Sequence, residues 1–142
     1  MDKQYETEII HLFATLYAEF PKGKLQLSES PDFIVKLNSK KAIGIELTEL
    51  AGQDFVHHSG TLKDPDKVLD CLQQTIGAKD EKLRLYQRKK LHQIWLLVHV
   101  GQLSEYVDFN LKNKLAIFPF YSGFDKVFLL DIGARMVVEL CD

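Results

Sequence analysis

The chain has 142 residues, 46% of them hydrophobic and 27% charged, which supplies a core and excludes a disordered polymer. A formal net charge of −2 excludes a protein that coats nucleic acid by bulk electrostatics, though not one with a local basic surface. The length suits one domain spanning residues 1–142.

Tyr5, Ile9, Leu12, Phe13, Leu16 and Phe20 recur at helical spacing and predict a helix from Gln4 to Phe20, ended by Pro21 and Gly23. The stretch 24-KLQLSES-30 reads as a short strand. Two apolar runs around Asn38-Ser39-Lys40 then read as a hairpin. Residues 51–64 read as an irregular connection rich in polar residues. Asp64-Pro65 signals a helix start, and that helix is expected to run to about Leu91, with Gly77 as a place to bend. The nearly continuous apolar run 93-QIWLLVHV-100 is typical of a central strand buried on both faces. A helix over 103–116 and strands over 125–132 and 134–140 complete the chain. The order αβββαβαββ implies an α/β (α+β) fold: a mixed sheet flanked by helices.

Cys71 and Cys141 match no metal or redox spacing, so a reduced, cytoplasmic setting is expected. The opening MDKQYETEII lacks a signal-peptide apolar run, and no stretch approaches the ~18–20 apolar residues of a membrane span, so no membrane partner is expected.

The hairpin raises the first chemical question. With the turn centred on Ser39, Phe33 opposes Ile45 and Val35 opposes Ile43, and the other face pairs Ile34 with Gly44, Lys36 with Ala42 and Asp32 with Glu46. Opposed side chains lie ~4.5–5.5 Å apart at Cβ, where like charges repel. A divalent cation would turn that repulsion into shared ligation; the alternative is a pair of acids at a solvated strand end. Gly44 leaves the strand open to close approach.

The long helix carries Leu69, Leu72, Ile76, Lys79, Leu83 and Tyr86 as one stripe, interrupted by a lysine at Lys79, with Lys82 on its flank. Either ammonium could reach toward the sheet along a buried stem, or pair with Asp80 or Glu81 along the helix.

Here the sequence resembles the PD-(D/E)XK nuclease superfamily, the restriction-endonuclease-like fold. Pro31-Asp32 stands where that family has Pro-Asp, and Glu46-Leu47-Thr48 stands where it has Glu-x-Lys. Thr48 replaces the lysine, and 79-KDEKLRLY-86 is similar to variants that carry it on the following helix. The resemblance covers roughly residues 5–100 and implies Asp32 and Glu46 as ligands of Mg²⁺, with Mn²⁺ as a substitute and the Leu47 carbonyl as a further ligand. It implies Lys79 or Lys82 as the catalytic amine and nucleic acid, DNA in the first instance, as substrate. Thr48 could hydrogen-bond a metal water, and Arg84, Arg88, Lys89 and Lys90 would supply phosphate contacts unless they form a solvated helix face. Glu6 and Glu8 flank the first helix's apolar face and are expected in solvent more than at the metal.

His57-His58 fit an exposed loop, His11 and His92 show no ligand spacing, and His99 is expected to be a hydrogen-bonded core residue. Trp95 and the later phenylalanines fit packing, and no glycine-rich phosphate loop precedes a helix. Two other readings stand beside the nuclease. One is a silent module of the same fold that binds a protein partner, nucleic acid or a second copy. The other is a metal-dependent hydrolase of nucleotides.

Overall fold

The computed structural model describes residues 2–50, 65–86, 90–101, 103 and 111–141. The loop histidines His57 and His58, the expected cap Asp64, and Arg88 and Lys89 lie outside them.

Helix α1 spans Lys3–Leu16, and the Asp2 carboxylate caps it by accepting from the Gln4 N–H. It stops four residues short of the expected Phe20. The backbone turns extended at Tyr17, whose ring stacks on Phe13 and meets Trp95 edge-on, so aromatic packing overrides helix propensity there.

Strands β1 (Lys24–Leu27), β2 (Phe33–Lys36) and β3 (Ala42–Glu49) follow as an antiparallel meander. The β2–β3 register is the one the apolar alternation dictates: Phe33 with Ile45, Ile34 with Gly44, Val35 with Ile43 and Lys36 with Ala42. Helix α2 (Pro65–Asp80) crosses to β4 (Gln93–Val100), which lies parallel to β3. Helix α4 (Leu111–Ile117) precedes β5 (Lys126–Asp131), parallel to β4, and β6 (Met136–Cys141) pairs antiparallel at the edge. The sheet has six strands in the order β1-β2-β3-β4-β5-β6. It is a mixed sheet flanked by helices.

Among the described residues the order is αβββααβαββ, against the expected αβββαβαββ. The helix expected to run to about Leu91, with Gly77 as a place to bend, continues through Gly77 and ends at Asp80. A separate turn, α3 (Leu83–Tyr86), follows it. Asp80 directs its carboxylate sideways to the Ser122 hydroxyl and the Gly123 N–H, and the Lys82 and Leu85 N–H groups donate to carbonyls only three residues back. Tertiary contacts thus break the helix where local propensity would continue it.

The two faces of the sheet carry separate cores. Ile9, Ile10 and Phe13 of α1 pack on Phe33, Val35, Ile45, Leu47, Trp95, Leu97 and Phe128. Leu69, Leu72 and Ile76 of α2, with Tyr86 and Leu115, pack on Ile94, Leu96, Val98, Val127 and Leu129. Strand β4 contributes alternately to both, as its continuous apolar run requires. Among the described residues no helix is long and apolar enough to cross a membrane.

Candidate active site

Alternation along β3 sends Ile43, Ile45 and Leu47 to the α1 face. Gly44, Glu46 and Thr48 therefore face α2 and α3. Gly44 has no side chain for a reason visible nearby. A Cβ there would lie 2.6 Å from Cγ of Pro31 and 2.8 Å from Cδ1 of Leu91. The missing methyl group lets the Pro31 ring close onto β3 and brings Asp32 alongside Glu46.

Strand β2 begins only at Phe33, so the last residues of β3 lose their partner on that side. The two acids replace it. The Leu47 N–H donates to Oδ2 of Asp32 at 2.8 Å, and the Asp32 N–H donates to Oε1 of Glu46 at 3.1 Å. Their carboxyl groups also lie within hydrogen-bonding reach of each other. The N–H and C=O of one strand residue point to the same edge, so the Leu47 carbonyl faces the Asp32 side as well.

Glu46 is only 5% exposed. Its Oε2 accepts from Nζ of Lys79 at 2.9 Å and from the Tyr86 hydroxyl at 2.6 Å. Lys79 arrives from the last turn of α2 with its side chain 22% exposed, and Tyr86 arrives from α3. On the other flank Nζ of Lys3 sits 3.3 Å from Oε1 of Glu6 and 3.7 Å from Oδ1 of Asp32. The same ammonium donates to the carbonyls of Ser28 and Asp32 and lies 5.0 Å from the centre of the Phe33 ring. Glu6, expected in solvent, is buried.

This arrangement splits the two acids electrostatically. Burial, followed by the hydrogen bond with Glu46, pushes the Asp32 carboxyl up to about 7, against a lowering by the Leu47 N–H. Burial also works to raise Glu46, but hydrogen bonds from Asp32, Tyr86 and Lys79 outweigh it and hold that carboxyl below its ordinary range. The Tyr86 hydroxyl is raised by burial and by the Glu46 charge, so it remains a donor. The two shifts run in opposite directions, which favours the proton on Asp32 and the negative charge on Glu46.

Other expected site residues stand apart. Thr48 is half-buried one step beyond Glu46 on the same face. Lys82 and Arg84 are exposed and form no hydrogen bond or ion pair with either acid, and Arg88 lies outside the described residues. The turn at Glu81-Lys82 carries Lys82 away, so of the two lysines Lys79 alone meets the pair. Two participants were not foreseen. Tyr86 read as core because it continues the α2 stripe, although its spacing of seven from Lys79 placed both on one side. Lys3 carried no signal. His99 corrects an expectation: it is 1% exposed and neither ring nitrogen has a hydrogen-bond partner among the described residues. Its closest ring neighbour is Tyr5, edge-on at 6.1 Å.

Among the described residues no group of three or more His, Cys, Asp or Glu is arranged to hold a metal ion. The donor set still suits Mg²⁺ in kind, because that ion takes one or two carboxylates and completes its shell with water and substrate phosphate.

No protein-family model matches the chain, and no curated protein or solved structure is significantly similar to it.

Proposed function

We propose that the protein is a Mg²⁺-dependent nuclease of the restriction-endonuclease-like kind, with its lysine moved from the Glu-x-Lys position to α2. The observation that carries this reading is Lys79 held 2.9 Å from a Glu46 that is itself cross-bonded to Asp32. An acid pair, a strand carbonyl beside it and one amine leaning over it are the parts that phosphodiester hydrolysis needs at one place.

Asp32, Glu46 and the Leu47 carbonyl would hold the ion, which when bound lowers the pKa of a water and polarises the scissile phosphate. Asp32 must lose its proton to serve, so activity should rise with pH through about 7. Lys79 can turn from Glu46 toward the phosphate and stabilise charge developing on its oxygens. Tyr86 holds the Glu46 carboxylate in place from the opposite side. Nucleic acid, DNA in the first instance, is the substrate, and a cytoplasmic setting follows the same reading.

The test is cleavage of linear and circular DNA and of RNA by purified protein, with Mg²⁺ or Mn²⁺ against EDTA. Asp32→Ala and Glu46→Ala should each abolish metal-dependent cleavage while circular dichroism stays native. Cleavage untouched by both substitutions would remove the proposal.

One observation favours a second reading, a silent module of the same architecture that binds a partner chain. Glu46 already has three protein donors and needs no ion to be satisfied. Calorimetric titration with Mn²⁺ separates the two: the silent module gives no heat that depends on Asp32.

A further inference from the structure

Charge is segregated along this chain more sharply than its net value suggests. Residues 20–28, 33–45 and 82–104 hold ten of the eighteen lysines and arginines and none of the twenty acids. The fold brings parts of these three segments to one end of the sheet. Lys24 on β1 pairs with Lys36 on β2, and Lys36 pairs with Ala42 at the start of β3. The His92 N–H donates to the Ala42 carbonyl, which sets Lys90 against the same strand end. Between them lies a groove of about 390 Å³ lined by Lys36, Lys40, Lys41 and Lys90 with Asn38 and Ser39. All four lysines are exposed, and among the described residues none is in an ion pair.

We propose that this groove binds the phosphate backbone of duplex nucleic acid and holds the polymer across the carboxylate site. The choice of polyanion rests on the nuclease reading; the charge complementarity does not. Four unpaired ammoniums beside one another repel, and only an anionic partner relieves that at no cost in carboxylates. The groove is not shaped for a single phosphate. Four of the turn's N–H groups are consumed internally: Leu37 and Asn38 donate to the Lys41 carbonyl, and Lys40 and Lys41 donate to Oδ1 of Asn38. Among the described residues of the turn that leaves the Ser39 N–H and no cradle of several, so recognition falls to flexible point charges, which suit a repeating line of phosphates. The distance also fits. Lys36 lies four residues along β2 from Asp32, about 13 Å at ~3.3 Å per residue, well inside one ~34 Å turn of duplex.

The experiment is fluorescence anisotropy of a labelled DNA duplex of about two helical turns, in EDTA so that nothing is cut, across a salt series. Wild-type binding should weaken about a hundredfold between about 50 and 200 mM salt if four phosphates are neutralised at roughly −0.9 per contact. The K36Q/K40Q/K41Q/K90Q variant should lose roughly 3.6 from that slope, and K90Q alone roughly 0.9. These side chains are exposed, and thermal melting confirms that the variants fold. An unchanged slope and affinity in the quadruple variant overturns the proposal. So does a wild-type protein that ignores duplex yet binds vesicles of anionic lipid through the same lysines. Lysine-dependent duplex binding without metal-dependent cleavage supports the groove and sinks only the nuclease. Normal cleavage with unchanged binding in the quadruple variant sinks only the groove.

Discussion

Among the described residues Glu46, His99 and Asp131 are the polar side chains buried on the strands of this sheet, and the protein treats the first two in opposite ways. Glu46, on the α2 side of β3, receives three donors from three separate parts of the chain. His99, on the next strand, receives none among the described residues and meets the Tyr5 ring edge-on. A buried carboxylate that keeps its charge demands partners, because desolvation costs several kcal/mol per ion. An imidazole can give up its charge instead. Burial lowers His99 to about 4, so it stays neutral at ordinary pH and costs only its unmade hydrogen bonds. The difference marks where the fold invested in electrostatics, and that place is Glu46.

The comparison breaks most visibly if Glu46 is made to resemble His99. Lys79→Met leaves a buried charge with two neutral donors and should cost about 3 kcal/mol in urea unfolding, the lower end for broken buried pairs because Lys79 keeps some solvent. Adding Glu46→Gln should recover part of that loss, since it removes the buried charge and the amide oxygen can still accept from Tyr86. A loss below about 0.5 kcal/mol would mean that the pair behaves as a surface ion pair.

The next effect is one of pH. His99 has a folded pKa near 4 against 6.5 unfolded, so the folded state binds fewer protons across that window. Stability therefore falls as pH drops from 6.5 toward 4, by about 2 kcal/mol on reaching pH 5. Asp32 works on the other side: its folded value near 7 exceeds 3.8, so the folded state holds the extra proton and stability falls as pH rises from 4 toward 7. His99→Leu should remove the acid-side loss and leave the Asp32 limb intact, as read from melting temperatures across the pH range. An acid limb unchanged by that substitution would show that His99 is not its source.

The smallest effect concerns a single donor. Tyr86→Phe removes one hydrogen bond to a charged acceptor and should cost about 1.5 kcal/mol, half or less of the Lys79 change. A larger cost than Lys79→Met would reverse the ranking of ion pair over phenol.

Much of this arrangement could be read in the chain before the fold was known. Alternation of Phe33, Val35, Ile43 and Ile45 forces the hairpin register, and that register carries Asp32 and Glu46 to adjacent places. A lysine within an otherwise apolar stripe at Lys79 left two outcomes open, a reach toward the sheet or a pairing along the helix. Other features had no local signal. Lys3 reaches Asp32 across 29 positions of sequence, and nothing near either residue announces the contact. The end of α2 depends on Ser122 and Gly123, more than forty residues downstream.

The amino-acid sequence by itself determined the strand faces, the sheet's mixed character and the nearness of the two acids, because these follow from periodicities of two and 3.6 within short segments. Only the tertiary structure decided which lysine meets Glu46, that Tyr86 joins it, and that His99 goes without a partner. Those outcomes depend on where a helix stops and what crosses over it, and contacts between distant segments set both.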